Sequence, residues 1–468
     1  MRQICLAMLL MFAVTAVAQA PAPAVSTGAL TGADVRVGGA TTPLSLKEAV
    51  TVALEKNPLR KAALAEQKVA AAGIREARAA LLPRLTFSET ATRGNDPVYA
   101  FGTRLRQGRF TAEDFALNRL NSPLPLGNFT TRLAGQWNLF QAPDWLNVRR
   151  TRTMKDIAAR QLERTEQETV LRVVNAYYGL LLATKQQELA QQQVQTADSI
   201  LHFSRTRYEA GLVVEADYLA AQVNQATRRQ ELIRATNAVA LAQAQLNVAM
   251  GVSADINYAP RATLAERALE IVPLAEAERR ALASRPDLKE IELQQSAQET
   301  GVRMAKSAFL PRLSAFAGWE QDNPTLFAGG GSNNWVGGIE LQFDLFTGGA
   351  KAAALERQKA MREKLAAMRQ AAIDGVRLDV RKAWYDFDAA RQQVEVARAS
   401  IAQSDESLRL NQTRYEAGLT TITDLLRAEE ATRRTRTDYW QAVFAYQTAF
   451  ANLELAMGTL NANSPVLQ

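Results

Sequence analysis

The hexapeptide RYEAGL occupies Arg207–Leu212 and recurs unchanged at Arg414–Leu419, about 207 residues further along a chain of 468 residues. Each copy lies between two long segments rich in alanine, glutamine and charged residues, a composition that favours helices. A glycine followed by an apolar residue is typical of a helix that ends in a left-handed turn. Gly211 and Gly418 are therefore predicted to form the tips of two helix–turn–helix hairpins.

The duplication extends well beyond the hexapeptide. Residues 57–85 align with 285–313, and both segments end in the sequence LPRL. LNVAMG, ending at Gly251, aligns with LELAMG, ending at Gly458. The offset falls from about 228 to about 207 residues, so the first copy holds an insertion of roughly 21 residues between Leu85 and Trp137.

These alignments divide the chain into a signal peptide, two repeats and short connecting segments. Arg2 followed by the apolar run LAMLLMFAVTAVA, with small residues before Gln19, predicts a signal peptide. The predicted linker contains a short helix of its own. The predicted boundaries are a signal peptide at 1–18, an extended segment at 19–44, repeat 1 at 45–251, the linker at 252–273, repeat 2 at 274–458 and a tail at 459–468.

Large and small residues alternate on a strict seven-residue period before each hairpin tip. A heptad maintained over five periods keeps one seam against a neighbouring helix only if the helices supercoil left-handedly. Helices near 148–210 and 350–417 would each be about 95–100 Å long. An antiparallel coiled coil and a cylinder of coiled helices both explain this pattern. The large seam positions are Val173, Leu180, Gln187, Val194, Leu201 and Tyr208 in repeat 1, and Val380, Phe387, Val394, Ile401, Leu408 and Tyr415 in repeat 2.

Four segments of about ten residues read as strands, and ten residues is the length that a tilted strand needs to cross a membrane. They are predicted near 83–93, 130–140, 311–321 and 335–346. The connections at 91–129 and 321–334 are predicted to be loops, since both are rich in turn-forming residues.

Alternation of apolar and polar residues in these strands fits either a half-buried soluble sheet or a membrane barrel. Four strands cannot close a barrel, and an open edge in lipid leaves backbone groups without partners. Eight strands from two copies would enclose a filled interior, whereas twelve from three copies would leave a lumen. A membrane conduit built from this chain therefore needs at least three copies.

Composition argues against several other functions. The net charge of +7 arises from basic and acidic residues interleaved along helices, which indicates solvated helix faces and no nucleic-acid partner. Cys5, the only cysteine, lies in the predicted signal peptide, and His202 is the only histidine. We therefore expect no enzyme, no metal site and no cofactor.

An aspartate follows each turn at the start of the next helix. Thr421 and Asp424 have the spacing of a capping box, and Asp217 occupies the equivalent position after the first turn. Capping of a helix N-terminus explains these acids. In a symmetric assembly, however, they would also form a ring of carboxylates at a constriction.

The paired repeats, the strand pairs before long helices and the twin RYEAGL turns followed by aspartate together resemble the TolC family of outer-membrane efflux proteins. The resemblance covers nearly all of the predicted mature chain. It implies an α+β membrane protein, a homotrimer whose twelve-stranded transmembrane β-barrel, four strands per chain, continues as a long coiled α-helical barrel. In each repeat one long helix would pair with two shorter, stacked helices. Short helices from the linker and the C-terminal part would form a belt near the middle.

The resemblance also implies roles for residues at the turns. Tyr415 and Asp217 match a pair that links the two turns of a closed periplasmic entrance, and Asp424 matches an acid of the constriction. Thr420 and Arg427 depart from TolC itself, where a linking arginine and a second acid stand, so we expect a weaker link and a less negative ring. Tyr415→Phe with Asp217→Ala is expected to raise conductance, and valine at either turn glycine is expected to damage assembly.

The implied function is an exit duct in the outer membrane of a Gram-negative bacterium, in contact with its lipid and with a long periplasmic portion. It would passively conduct substrate received from an inner-membrane pump through a periplasmic adaptor, in tripartite efflux or type I secretion. The alternative is a periplasmic coiled-coil adaptor or a structural protein without a pore.

Overall fold

The computed structural model describes residues 42–326 and 332–467, which contain two matching runs of helices and strands. The predicted signal peptide and most of the extended segment after it lie outside the described residues. The first run comprises β1 Thr42–Leu44, α1 Leu46–Lys56, α2 Pro58–Ala79, β2 Arg84–Gly94, α3 Pro97–Arg106, α4 Leu117–Asn121, β3 Leu126–Phe140, α5 Ala142–Glu209 and α6 Glu215–Met250. The second comprises β4 Tyr258–Pro260, α7 Leu274–Ser284, α8 Pro286–Ser307, β5 Arg312–Asn323, β6 Asn333–Gln342, α9 Ala350–Glu416 and α10 Ile422–Ala456.

Two long helices, α5 with 68 residues and α9 with 67, run the length of the helical part and are each about 100 Å long. Each turns back at a tip and packs against the helix that follows it, α6 or α10. The other half of α5 packs against α2, and the other half of α9 packs against α8. One long helix therefore pairs with two shorter helices in each repeat. None of the helices in the described ranges is long and apolar enough to cross a membrane.

The two shorter helices of each repeat meet at a closely packed joint. The α6 helix ends at Gly251, and a Cβ atom added there would lie 2.7 Å from the Cα atom of Asn57, which caps α2. The Asn57 side chain donates a hydrogen bond to the carbonyl oxygen of Ala249 at 2.9 Å. In the second repeat, a Cβ atom added at Gly458 would lie 2.8 Å from Arg285 Cα at the start of α8. Only glycine fits either joint without displacing backbone.

The hydrophobic core surrounds the middle of α5 and α9, where the heptad seam is fully buried at Val173, Leu180, Val380 and Phe387. The short α1 helix packs against α5, and α7 packs against α9. β1 pairs in parallel with β4, and the Tyr177 hydroxyl donates a hydrogen bond to the carbonyl oxygen of Leu44 at 3.0 Å. The core therefore ties the linker and the N-terminal strand to the long helices.

The linker at 252–273 has no helix, which corrects the predicted short helix there. Leu264, Leu269 and Ile271 belong to the core or pack against it as extended chain. The Trp384 indole N–H donates to the carbonyl oxygen of Val272 at 2.9 Å. In a helix this carbonyl oxygen would normally accept a hydrogen bond from a backbone N–H four residues further along the chain. Tertiary contacts of the extended segment therefore outweigh the helical propensity of its sequence.

Four strands form one antiparallel sheet in the order β2-β3-β5-β6, leaving β2 and β6 as edges. The register gives the sheet an apolar face and a polar face, because neighbouring residues in adjacent strands share a face. One row of the apolar face consists of Phe87, Leu133, Trp319 and Trp335. The adjacent row of the polar face consists of Ser88, Arg132, Glu320 and Asn334.

The last strand is shorter than predicted. β6 ends at Gln342, whereas the sequence pattern extends to Phe346. Gln342 pairs with Arg312, the first residue of β5, so the residues after Gln342 have no strand to pair with among the described residues. The alternating pattern continues past the point where pairing ends.

The connection between β2 and β3 is folded, which corrects the predicted loop at 91–129. It holds α3, a short 3-10 helix at Ala112–Phe115 and α4. Asp96 caps α3 by accepting a hydrogen bond from Tyr99 N at 2.9 Å, with Pro97 at the first helical position. Asp114 is buried and accepts hydrogen bonds from Thr111 N at 2.9 Å and Arg104 Nη1 at 2.7 Å. Capping and buried polar pairing order a segment that has the composition of a loop.

Candidate functional site

Both RYEAGL segments end a long helix with the same turn. Gly211 has φ of 72° and Gly418 has φ of 75°, in the left-handed region. Leu212 N donates to the carbonyl oxygen of Arg207 at 2.9 Å, and Leu419 N donates to that of Arg414 at 2.8 Å. Gly211 N donates to the carbonyl oxygen of Tyr208 at 2.9 Å, and Gly418 N donates to that of Tyr415 at 3.0 Å. At each turn the two bonds together form a Schellman motif.

Identical sequence at the two turns gives different surroundings for the tyrosines. Tyr415 is 4% exposed and packs edge-on against Phe203 with ring centroids 5.9 Å apart. Tyr208, its counterpart, is 39% exposed and stacks on Tyr218. The tyrosine of the second turn therefore packs against a side chain of the first repeat, whereas the tyrosine of the first turn stacks on a residue of its own repeat.

Arg207 makes the contact that crosses between the turns. Its Nη1 donates to the carbonyl oxygen of Tyr415 at 2.9 Å and to that of Glu416 at 3.5 Å, at the C-terminus of α9. Its guanidinium carbon lies 5.3 Å from the ring centroid of Phe203 and 5.9 Å from that of Tyr415. A cation on the last carbonyls of a helix is favoured by the helix dipole. Nothing in the sequence distinguishes Arg207 from Arg414, because both stand in the same hexapeptide.

The structure brings Tyr415 and Asp217 close together without a hydrogen bond between them. The Tyr415 hydroxyl is buried and has no hydrogen-bond partner within the described residues. Ser204 beside it donates to the main-chain carbonyl of Asp217 at 3.5 Å. Burial, with a further contribution from the negative charge of Asp217, raises the pKa of Tyr415. A link between these two residues stays a prediction.

Asp424 has several partners within its own turn. Its Oδ2 accepts hydrogen bonds from the hydroxyls of Thr420 at 3.0 Å and Thr421 at 2.8 Å. Its N–H donates to Thr421 Oγ1 at 3.3 Å, and Arg427 Nη1 lies 3.8 Å from its Oδ1. The hydrogen bonds from Thr421 and then Thr420 lower the pKa of Asp424. Thr421 therefore caps α10, the Asp424 carboxylate accepts the hydroxyls of both threonines, and Arg427 offsets part of its charge.

Asp217 occupies the same third position of its helix but lacks these partners. Val214, at the N-cap of α6, has no hydroxyl to share with it. Within the described residues, no side chain forms a hydrogen bond or an ion pair with the Asp217 carboxylate. Of the two equivalent acids, Asp217 is thus the one free to bind a group from outside this chain.

A second charged cluster, formed by Arg228 and Glu231 of α6 and Glu429, Glu430 and Arg433 of α10, joins these two helices further along from the tips. Arg228 is 9% exposed and donates to Glu231 at 2.9 Å and to Glu430 at 3.0 Å. Beside them a cavity of about 80 Å³ is lined in part by Arg228, Glu429 and Arg433. The Oε1 atom of Glu429 is buried and has no hydrogen-bond partner in the described structure. The sequence pattern did not single out this cluster, because each residue alone reads as part of a solvated helix face.

Glu429→Gln is expected to stabilise the helical part at pH 8 more than at pH 5. Burial raises the pKa of Glu429 from 4.5 to about 7, and Arg228 opposes that shift. Because the folded chain then holds the proton more tightly than the unfolded chain, stability falls as pH rises from 4.5 to 7. Glutamine removes this loss. Thermal unfolding followed by circular dichroism in detergent at both pH values measures it.

Glu430→Gln is the matched control, with the opposite sign. A hydrogen bond from Arg433 lowers the pKa of Glu430, and Arg228 adds to the effect. Its carboxylate therefore contributes stability above the unfolded pKa, and the amide should reduce stability at pH 8. Equal destabilisation of both variants at pH 8 would contradict the assignment of Glu429 as an unpaired buried acid.

Metal chemistry has no visible basis in the described part of the chain. No group of three or more histidine, cysteine, aspartate or glutamate side chains there is placed to hold an ion. His202 is exposed on α5. The chemistry available at the tips is hydrogen bonding and charge.

A family model described as outer membrane efflux protein matches residues 49–252 and 278–459. The alkaline protease secretion protein AprF of Pseudomonas aeruginosa is 25% identical over 431 residues, covering 89% of this chain and 85% of AprF. The outer membrane protein TolC of Escherichia coli is 23% identical over 430 residues, covering 86% of this chain and 80% of TolC.

The fold is shared with solved structures. The Campylobacter jejuni CmeC outer membrane channel superposes with a TM-score of 0.75 at 18% identity, covering 95% of this chain and 96% of CmeC.

Proposed function

The chain belongs to the outer membrane efflux protein family. We propose that three copies of it assemble into a duct that opens at the hairpin tips. It is an exit duct of the outer membrane, serving tripartite efflux or type I secretion, and it is not an enzyme. The resemblance to the TolC family is confirmed by the family match. The observation that carries the proposal is an open, two-faced sheet joined to helices about 100 Å long.

Three copies sharing their sheets would satisfy the open edges. Trp335, Ile339 and Leu341 on the edge strand β6 are exposed in the single chain, with Trp335 83% exposed. An exposed apolar edge strand is a template for pairing with another chain. Joining β6 of one copy to β2 of the next, three times, gives a closed barrel of twelve strands with the apolar face toward lipid.

The helices support the same assembly. A stripe of large apolar residues on one face of α6 is exposed in the single chain. A groove of about 770 Å³ runs between α9 and α10, lined in part by Ala389, Ala397, Ala442 and Ala445. Small residues allow a neighbouring helix to approach closely, so the stripe of one copy would fill the groove of the next. The stripe consists of Leu219, Val223, Ile233, Leu241 and Val248.

The hairpin tips form the periplasmic entrance in this proposal. Arg207, Tyr415 and Asp217 would hold the two turns of each copy together, with Thr420, Asp424 and Arg427 beside them. Arg427 lies near Asp424, so the ring of acids would carry less negative charge than the number of aspartates indicates. Gly211 and Gly418 give both tips their shape.

The duct would receive its substrate from an inner-membrane pump through a periplasmic adaptor. One relative, AprF, is named for secretion of alkaline protease, and CmeC is described as an outer membrane channel. Both protein secretion and efflux therefore remain within the proposed function. The pump would supply the energy and select the cargo.

Purified protein should migrate as a trimer in detergent and give discrete conductance steps in planar lipid bilayers. In cells, it should fractionate with the outer membrane and need detergent for release, because its sheet is embedded in lipid. Release by salt or recovery with the inner membrane, together with no conductance, would favour the adaptor alternative and refute a duct.

A further inference from the structure

The inserted segment between β2 and β3, residues 95–125, has a defined position on the sheet. It connects the strands at the end of the sheet away from the long helices. The corresponding connection in repeat 2 runs only from Asn323 to Asn333. The face of the sheet on which the insertion packs determines whether it lies outside the proposed barrel or within it.

Three contacts place the insertion on the polar face. The Tyr99 hydroxyl hydrogen-bonds the Thr92 hydroxyl at 2.9 Å, and Gln107 Nε2 donates to Asn128 Oδ1 at 2.9 Å. Arg106 Nη1 lies 3.4 Å from Glu320 Oε1. Glu320 belongs to the polar row of Ser88, Arg132 and Glu320. Thr92 lies four residues from Ser88 in β2, and Asn128 lies four residues from Arg132 in β3, so both are on the same face as that row.

A buried hydrogen-bond network fixes the insertion there. Asn128 Nδ2 donates to Asp322 Oδ1 at 2.5 Å, and the Thr130 hydroxyl donates to the same oxygen at 2.8 Å. Gln107, Asn128 and Asp322 are all buried, although most of the sheet is exposed in the single chain. Gln107 Oε1 and Asp322 Oδ2 are buried without a hydrogen-bond partner among the described residues, so the bonds of Gln107 Nε2 to Asn128 and to the carbonyl oxygen of Gly127 are what hold α3 against the sheet.

The insertion also exposes large apolar side chains. Val98, Phe115, Leu117 and Leu124 are exposed, Leu124 by 81%. Concentrated apolar exposure marks a surface that meets a partner. In the proposed trimer the polar face lines the passage, so the partners within reach are the same segments of the other two copies.

We propose that residues 95–125 form a constriction inside the outer end of the duct, with Tyr99, Arg106 and Gln107 as positioning residues that hold it on the pore wall. The inference rests on the proposed trimeric duct. The exposed apolar residues of three insertions meet near the axis, where an apolar constriction impedes water and ions. The insertion thereby sets the size of solute that crosses the outer end.

Single-channel conductance in planar bilayers tests the constriction. The variant replaces residues 97–121 by a short Gly-Ser linker, which leaves β2 and β3 intact. We expect at least about twofold higher conductance, because an apolar constriction is removed, and entry of larger polyethylene glycols into the pore. Gln107→Ala should shift both readouts in the same direction. Arg109→Ala should leave them unchanged, because Arg109 is exposed in the same segment and its side chain has no hydrogen bond or ion pair with the described part of the sheet.

Single cysteines provide a second readout that does not depend on a deletion. Cys5 is the only native cysteine, so a Cys5→Ser background leaves one thiol per copy. Val98→Cys, Phe115→Cys, Leu117→Cys and Leu124→Cys should include positions that form disulfide-linked dimers under mild oxidation. Arg93→Cys, in β2 with its side chain on the other face of the sheet, should give none.

The outcomes separate the two proposals. A wild-type protein without conductance would overturn the duct itself. A conducting wild type whose conductance and polymer exclusion are unchanged by the linker variant would overturn the constriction alone. If the linker variant does not assemble, absence of cross-links at all four insertion positions overturns it.

Discussion

Gly458→Ala is expected to destabilise the protein far more than Gly418→Ala, although both glycines have φ near 70°. A left-handed backbone costs alanine about 1–2 kcal/mol at either site. At Gly458 the new methyl group also meets the Arg285 backbone at 2.8 Å, and relieving such overpacking costs about 1–3 kcal/mol more. At Gly418 the nearest atom is the Arg207 side chain at 3.6 Å, an ordinary contact.

Thermal unfolding in detergent and the yield of the proposed trimer measure the difference. Gly251→Ala should behave like Gly458→Ala, since its methyl group meets Asn57 at 2.7 Å. Gly211→Ala is a second control, with nothing within 4 Å. Similar losses at all four glycines would mean that the joints relax freely and that backbone conformation alone sets the cost. Valine at the tips remains harmful for that backbone reason.

Arg207→Ala is expected to increase the open population of the proposed periplasmic entrance by about tenfold. Hydrogen bonds from a charged group contribute about 1.5–3 kcal/mol, and about 1.4 kcal/mol corresponds to a factor of ten. The substitution removes the donor to Tyr415 and Glu416 and the cation from the α9 terminus. Mean conductance in bilayers and sensitivity of cells to large antibiotics report the change.

Arg414→Ala is the matched control for this prediction. Arg414 has the same local sequence, is exposed and has no cross-turn bond among the described contacts. Equal effects of the two substitutions would show that Arg207 does not hold the turns together. Tyr415→Phe alone should have a smaller effect, since its hydroxyl has no hydrogen bond to lose in this structure.

Periodic features of the sequence predict most of the helical part. The heptads locate α5 and α9, and the duplicated Gly211 and Gly418 locate both turns. These features are predictable because each follows from a local rule of spacing or backbone conformation. The alternation in the strands likewise indicates which residues share a face.

Features that depend on tertiary contacts cannot be predicted from local sequence patterns. The linker has the composition of a helix and is extended, because its apolar residues reach the core in that form. The insertion has the composition of a loop and is helical, because Asp96 and Asp114 supply caps and buried pairing. Arg207 and Arg414 cannot be distinguished locally, since their difference lies in the neighbours that each turn receives.

The joints at Gly251 and Gly458 have a mechanical consequence. Each tip-forming partner helix, such as α6 with 36 residues and a length of about 54 Å, is anchored at its two ends and lies along an unbroken neighbour. Because the row of partner helices is interrupted at the joint, a movement of the tip in the proposed duct would not require the upper partner, α2 or α8, to move with it. In that duct the inner mouth could open without deformation of the proposed barrel wall.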